Sequence, residues 1–203
     1  MKYIDFKNSF NNRILIDVRE VKNVFPDFDS RRFYEWQKKG HLKKLSKLYY
    51  IFTDKNIGEN EICFIANKLF EPSYLSLEYA MRYYNLIPEI VYLVTSITSR
   101  KTKLIKTPIS NFQYRSVKEN LFFGYNVIKT AGLPFKIAEP EKALLDFLYL
   151  RSDIKDENDL EGLRINKGVF NEIINKEKMA KYAEAFGSKV LFRKIVKIYK
   201  EME

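Results

Sequence analysis

Two helix-stopping residues, Pro26 and Gly40, constrain this chain more than any other feature. Between Asp17 and Phe52 they leave room for two short helices and one hairpin. Asp17 followed by Glu20 has the spacing of a capping box, which predicts a helix beginning at Val18. Val18, Val21 and Phe25 fall on one face of that helix. Pro26 ends it, because proline disfavours helical backbone at the residue before it. Asp29 or Ser30 is expected to cap a second helix running to Lys39, with Gly40 as its left-handed C-cap. Phe33 and Trp36 share the side expected to be buried. Arg31, Glu35 and Lys38 lie opposite, flanked by Arg32, Tyr34 and Lys39. From Leu42 to Phe52 the pattern turns to strand, with Leu42, Leu45, Leu48, Tyr49, Tyr50, Ile51 and Phe52 interleaved with Lys43, Lys44 and Lys47. Two helices and a small basic hairpin are the layout of a winged helix. Such a helix fits the major groove, and lysines on the hairpin reach flanking phosphates. The expected DNA contacts are Arg31, Arg32, Tyr34, Glu35, Lys38, Lys43, Lys44 and Lys47.

Charge points the same way. The net charge of +10 and an isoelectric point near 9.4 imply an acidic partner, of which nucleic acid is the commonest. The competing reading is a lysine-rich surface with no polyanion partner. Sixteen Phe and 14 Tyr among 203 residues fill a sizeable core and argue against disorder. The single cysteine, Cys63, permits no internal disulfide and suits a reducing cytoplasm, the expected location. It lies in an apolar helical segment and reads as a small core residue. The single histidine, His41, argues against a zinc site or a histidine-based triad, and a solvated role is expected for it. No run is apolar for long enough to span a bilayer, and the opening MKYIDFKNSFNN lacks the apolar core of a signal peptide. No membrane partner is expected.

The rest of the chain predicts an α+β protein. Residues 1–12 read as a helix with Tyr3, Ile4, Phe6 and Phe10 on its apolar side. Arg13 to Ile16 is a short strand able to join the hairpin. The polar run DKNIGEN, Asp54 to Asn60, reads as a linker between a DNA-binding domain, 1–54, and a larger α+β domain, 60–203. Helices are expected from Glu61 to Phe70 and from Leu77 to Tyr84, the latter capped by Ser76, with a short strand between them. From Ile90 the period shifts towards two, giving a small, mostly antiparallel sheet of about four or five strands, with Pro134 to Ile137 as an edge. Ala138 to Leu150 is the clearest helix, its first turn suited to Pro140. Asp153 to Asp159 reads as a loop or helix start. Helices follow over 166–175, 178–186 and 188–202, the last with Arg193, Lys194, Lys197 and Lys200 as a basic side.

Chemistry-bearing clusters are few. No phosphate-binding loop or dinucleotide fingerprint is present. Glu139, Glu141, Lys142 and Asp146 are the types a metal-dependent nuclease assembles around a phosphate. The simpler reading is that the glutamates favour a helix N-terminus while Lys142 and Asp146 form an i, i+4 pair. No catalytic residue, metal or cofactor is therefore expected. Thr95 to Lys118 carries Arg100, Lys101, Lys103, Lys106, Arg115 and Lys118 without an acid, and with Phe112 and Tyr114 interleaved. That stretch reads as a polyanion surface or as one solvated sheet face with lysines guarding an edge.

Assembled in order, SYLSLEYAMRYYNLIPE from Ser73, VTSITSRKTK from Val94, FGY from Phe123 and IAEPEKALLDFLYL from Ile137 resemble the AbiEi family of antitoxins. The resemblance runs from about Asp17 to Tyr199, and Ile137 to Leu148 is its most specific part. Members often carry arginine and glycine before the wing tyrosine, where this chain has Lys47 and Leu48 before Tyr49. The resemblance implies a winged helix that binds operator DNA and represses its own operon, and a C-terminal domain needed for neutralisation. It also implies a type IV toxin–antitoxin system of viral defence, with an AbiEii-like nucleotidyltransferase toxin encoded next door and countered without a stable complex. The operator is expected to be an inverted repeat. Two alternatives differ in class. One is a stand-alone winged-helix regulator whose second domain senses a ligand or partner. The other is a metal-dependent nucleic-acid-processing enzyme using Glu139 to Asp146.

Overall fold

Aromatic side chains build the N-terminal lobe. The computed structural model describes residues 1–89, 91–130, 132–151, 153–154 and 162–202. Helix α1 (Tyr3–Phe10) leads to strand β1 (Ile16–Asp17), then α2 (Val18–Val24) and α3 (Arg31–Lys38), then the hairpin strands β2 (Leu42–Lys44) and β3 (Tyr49–Phe52). The three strands pair antiparallel in the order β1-β3-β2. Phe6, Phe10, Phe28, Phe33, Trp36, Tyr50 and Phe52 form one cluster with Ile16, Val21 and Leu42. Phe33 stacks on Tyr50 at 4.6 Å, and Phe6 lies 4.6 Å from Trp36. Ile4, expected inside, is 56% exposed because α1 turns it away from the Phe6–Phe10 stripe.

Local chemistry departs from expectation at two helix starts. Asp17 accepts the Arg19 N–H at 2.8 Å, but Glu20 does not complete the capping box, because Arg13 binds its carboxylate at 2.6 Å. At α3, Ser30 holds the N-cap position without a side-chain bond, and the Asp29 carboxylate accepts the Arg31 N–H at 3.0 Å. Gly40 follows with φ +73°, the left-handed conformation its place after the helix requires.

The second lobe wraps helices around a mixed sheet. Helix α4 (Glu59–Leu69), strand β4 (Ser73–Leu75) and helix α5 (Leu77–Tyr83) precede β5 (Leu93–Thr98), β6 (Lys103–Lys106), β7 (Asn111–Ser116), β8 (Tyr125–Thr130) and β9 (Leu133–Ala138). Helices α6 (Pro140–Leu150), α7 (Lys167–Ile173), α8 (Lys176–Phe186) and α9 (Lys189–Met202) follow. Among the described residues the sheet has six strands in the order β6-β7-β5-β4-β9-β8. It is larger and less antiparallel than expected, since β5–β7 and β4–β9 run parallel. The expected edge strand, β9, is interior, lying between β4 and β8. Helix α4 covers one face, where Tyr114 donates to the Ala66 carbonyl at 2.7 Å. Helix α6 covers the other, where Tyr74 donates to Asp146 at 3.0 Å. Of the acidic run Asp153 to Asp159, residues 155–159 lie outside the described residues.

The two lobes share an apolar seam. All four residues of β3 are buried, and they alternate: Tyr50 and Phe52 join the N-terminal cluster, while Tyr49 and Ile51 join the larger core with Leu15 and Leu45. No helix among the described residues is long and apolar enough to cross a membrane.

Candidate nucleic-acid interface

Helix α3 presents one face to solvent because the other is pinned by two aromatic rings. Phe33 and Trp36 are buried, which turns Arg31, Tyr34, Glu35 and Lys38 outward as the spacing predicts. Tyr34 is 71% exposed, unusual for so large a ring. Arg31 pairs with Asp29 at 2.9 Å, and this guanidinium holds the Asp29 carboxyl below the usual carboxylate range. Arg32 is half-buried and pairs with Glu35 at 2.8 Å. Both arginines are thus oriented by local carboxylates, a geometry that leaves donor edges of the guanidinium open. Lys38 is exposed at the C-terminal end, where the helix dipole favours a cation.

The hairpin supplies the second cationic group. Lys43 and Lys44 lie on β2, and Lys44 approaches the Tyr50 ring at 6.0 Å. Lys47 is exposed in the turn that joins the strands. That turn closes without glycine: Leu45 and Ser46 N–H both donate to the Tyr49 carbonyl, at 2.9 and 3.2 Å, and Ser46 Oγ accepts the Leu48 N–H at 3.3 Å. His41, expected to be solvated, is half-buried and stacks on Tyr3 at 4.2 Å.

The second basic stretch does not form one surface. Residues alternate across a strand, so Lys103 and Lys106 of edge strand β6 point to opposite faces. Lys103 and Arg100 flank the Phe70 ring, at 4.9 and 5.9 Å, on the α4 side. Arg115 is on the other side, half-buried, donating to the Leu150 carbonyl at 3.4 Å. Lys101 is exposed between β5 and β6. Phe112 and Tyr114 are fully buried, so their rings pack the core and offer no stacking platform.

The Glu139 to Asp146 cluster forms an internal network. Lys142 and Asp146 are each 0% exposed and paired in the expected i, i+4 geometry. Tyr74 and Ser76 donate to the same Asp146 oxygen at 3.0 and 2.9 Å, and Lys142 donates to the Tyr74 hydroxyl at 2.8 Å. The Lys142 ammonium also lies about 5 Å from the Phe123 and Phe186 rings. Burial lowers the Lys142 pKa and raises that of Asp146, and their mutual attraction opposes both shifts. Ser76 sits at the N-cap of α5 without capping it, because Asp146 takes its hydroxyl. Gly124 makes room for the pair: with φ +69°, a Cβ there would meet Tyr182 at 3.0 Å and Lys142 at 3.1 Å. Glu141 is buried and accepts the Asn175 N–H at 2.9 Å, while Glu139 accepts from Tyr182 at 2.6 Å. Lys194, expected on the basic side of α9, is buried and donates to the Leu148 and Arg151 carbonyls at 2.9 and 2.8 Å.

A scan against protein-family models returns no matching family, and a search of curated proteins returns no similar chain.

Proposed function

We propose that this protein is a DNA-binding antitoxin that represses its own operon and counteracts a nucleotidyltransferase toxin. Residues 1–54 act as a winged helix and 60–203 carry the neutralising function. One observation carries the DNA reading. The element order helix, strand, helix, helix, hairpin sets the outward face of α3, with Arg31, Tyr34, Glu35 and Lys38, beside a hairpin bearing Lys43, Lys44 and Lys47. A helix held by its buried aromatic side enters a major groove with its free face, and the hairpin lysines meet phosphates. The antitoxin reading rests on the resemblance to the AbiEi family in the second lobe. The partners are then double-stranded operator DNA, as an inverted repeat bound by two copies, and an AbiEii-like toxin opposed without a stable complex. A cytoplasmic location follows from that role.

Mobility shifts on the DNA upstream of the gene test the first part. A full site is expected to bind two copies, and a half-site one copy more weakly; equal affinity and one bound copy on both would overturn the inverted repeat. Co-expression with the neighbouring gene tests the second part, with growth rescue expected. A stand-alone regulator would repress without any rescue. Against a nuclease at Glu139 to Asp146 stands the burial of Lys142 and Asp146 against Tyr74 and Ser76, where a scissile phosphate does not reach them.

A further inference from the structure

The six-stranded sheet ends on two open strands, β6 and β8, and they differ. Strand β6 has four residues with a lysine at each end, Lys103 and Lys106, the usual guard of an exposed edge. Strand β8 has six, YNVIKT, with Lys129 as its one charge. Its tyrosine, valine, isoleucine and threonine all favour strand. Val127, in the middle, is 56% exposed.

The hydrogen bonds of β9 fix which backbone groups of β8 point outward. Lys136 stands opposite Val127, yet its N–H goes to Asn67 Oδ1 on the far side. Ala138 stands opposite Tyr125, and its carbonyl accepts from the Tyr84 hydroxyl at 2.9 Å. One residue further along, the Glu139 N–H returns to the Gly124 carbonyl at 2.9 Å. Antiparallel pairs alternate between bonded and non-bonded, so Tyr125–Ala138, Val127–Lys136 and Lys129–Pro134 are the non-bonded ones. Pro134 agrees, having no N–H to give. The N–H and carbonyl groups of Tyr125, Val127 and Lys129 therefore face away from β9. Among the described residues, none of them takes part in a backbone bond outside the β8–β9 ladder.

We propose that this edge pairs with β8 of a second copy of the chain, antiparallel about a two-fold axis at Val127. The edge is self-complementary in that register. Tyr125 stands opposite Lys129 of the second copy, Val127 opposite Val127, and Lys129 opposite Tyr125, so every outward N–H and carbonyl of the three residues is matched. Any other register leaves some of them unmatched. The two lysines stand at opposite ends and never face each other, which matters because like charges directly across a strand pair repel. The contact is isologous and closes on itself, giving a dimer and no longer fibre. A single paired strand is a small interface and belongs with weak, reversible complexes. The edge lies in the second lobe, and the inference does not rest on the DNA reading.

Sedimentation equilibrium of the full chain without DNA, over a concentration series, tests this, and a reversible monomer–dimer equilibrium is expected. Val127→Lys sets two lysines against each other at the axis and should weaken the dimer by at least roughly tenfold. Leu104→Lys, at the similarly exposed position of β6, should leave it unchanged. Val127→Pro removes only an outward donor, a change that edge strands tolerate, and should also abolish pairing. Circular dichroism checks that each variant folds. Amide exchange followed by NMR gives a sharper readout. Tyr125, Val127 and Lys129 should become protected as concentration rises, whereas Asn126, Ile128 and Thr130, already bonded to β9, should not change. The proposal is overturned if the chain stays monomeric up to about 1 mM, if folded Val127→Lys dimerises like the parent, or if protection with concentration appears elsewhere and not at these three amides. Protection of these amides only on adding the product of the neighbouring gene would assign the edge to a foreign strand and equally overturn it.

Discussion

Helices α3 and α6 carry similar residue types to opposite environments. RRFYEWQK keeps its charges in water, and only Phe33 and Trp36 are buried. PEKALLDFLYL buries a lysine, an aspartate and a glutamate together with its apolar residues. The ion pairs of α3 are exposed and local, whereas Lys142–Asp146 is enclosed by Tyr74, Ser76, Phe123 and Phe186. Exposed charges cost little to keep and remain available to a partner. Buried ones are committed to each other, because releasing either strands its mate in a low dielectric. Residue identity alone does not make a binding group; solvent access does.

The largest effect separating the helices is expected at α6. Lys142→Met leaves Asp146 uncompensated and should destabilise the protein by about 3–5 kcal/mol, read by urea denaturation. The sign with pH follows from the raised pKa of Asp146, which removing Lys142 raises further. The folded state then holds a proton that the unfolded state has lost, so stability falls as pH rises above the ordinary carboxylate range. The deficit of Lys142→Met relative to the parent should be smaller at pH 5 than at pH 8. Adding Asp146→Leu should recover much of the loss. A single variant as stable as the parent would show that the pair is not enclosed.

Next in size is the seam. Ile51→Ala removes a side chain that the larger core holds although its strand belongs to the N-terminal sheet. A loss of about 2–4 kcal/mol is expected. Fluorescence of Trp36 in the N-terminal lobe and helical circular dichroism, to which the second lobe contributes most of the helix, should still melt together. Two separated transitions would mean that the lobes are energetically independent.

At α3 the effects should fall on binding and leave the fold alone. Arg31→Ala or Lys38→Ala is expected to weaken operator binding by roughly 10- to 100-fold if it reads a base. Lys43→Ala, Lys44→Ala or Lys47→Ala should instead reduce affinity on all sequences and lower the salt slope by roughly one unit per phosphate lost. Unchanged binding in both α3 variants would remove this helix from the role. The smallest effect should be Arg32→Ala on stability, below about 1 kcal/mol by thermal melting, since its pair with Glu35 is half in solvent.

What the sequence revealed tracks how local the physics is. The outward face of α3 was legible because helical spacing and two aromatic residues decide it. Strand positions were legible from alternation, but β9 was misplaced as an edge, because strand order depends on crossovers that no short window contains. Lys142 and Asp146 were legible as an i, i+4 pair but not as a buried one, and Lys194, placed on the basic side of the last helix, is buried instead. The available signal was the apolar run around the first two: ALLDFLYL is hydrophobic on nearly all sides, the mark of a buried helix. The partners Tyr74 and Ser76 lie about seventy residues away and had no sequence signature. The basic stretch from Arg100 to Arg115 looked continuous in sequence, yet strand alternation divides it between faces.

The alternation of β3 has a consequence for how the gene tolerates length changes. Inserting or deleting one codon within Tyr49–Phe52 would exchange the two sets of side chains, sending Tyr49 and Ile51 into the N-terminal cluster and Tyr50 and Phe52 into the other core. Both cores would be damaged by one event. A single-codon insertion scan should therefore show a four-residue window of near-complete intolerance, bordered on its N-terminal side by the more permissive turn at Ser46–Leu48.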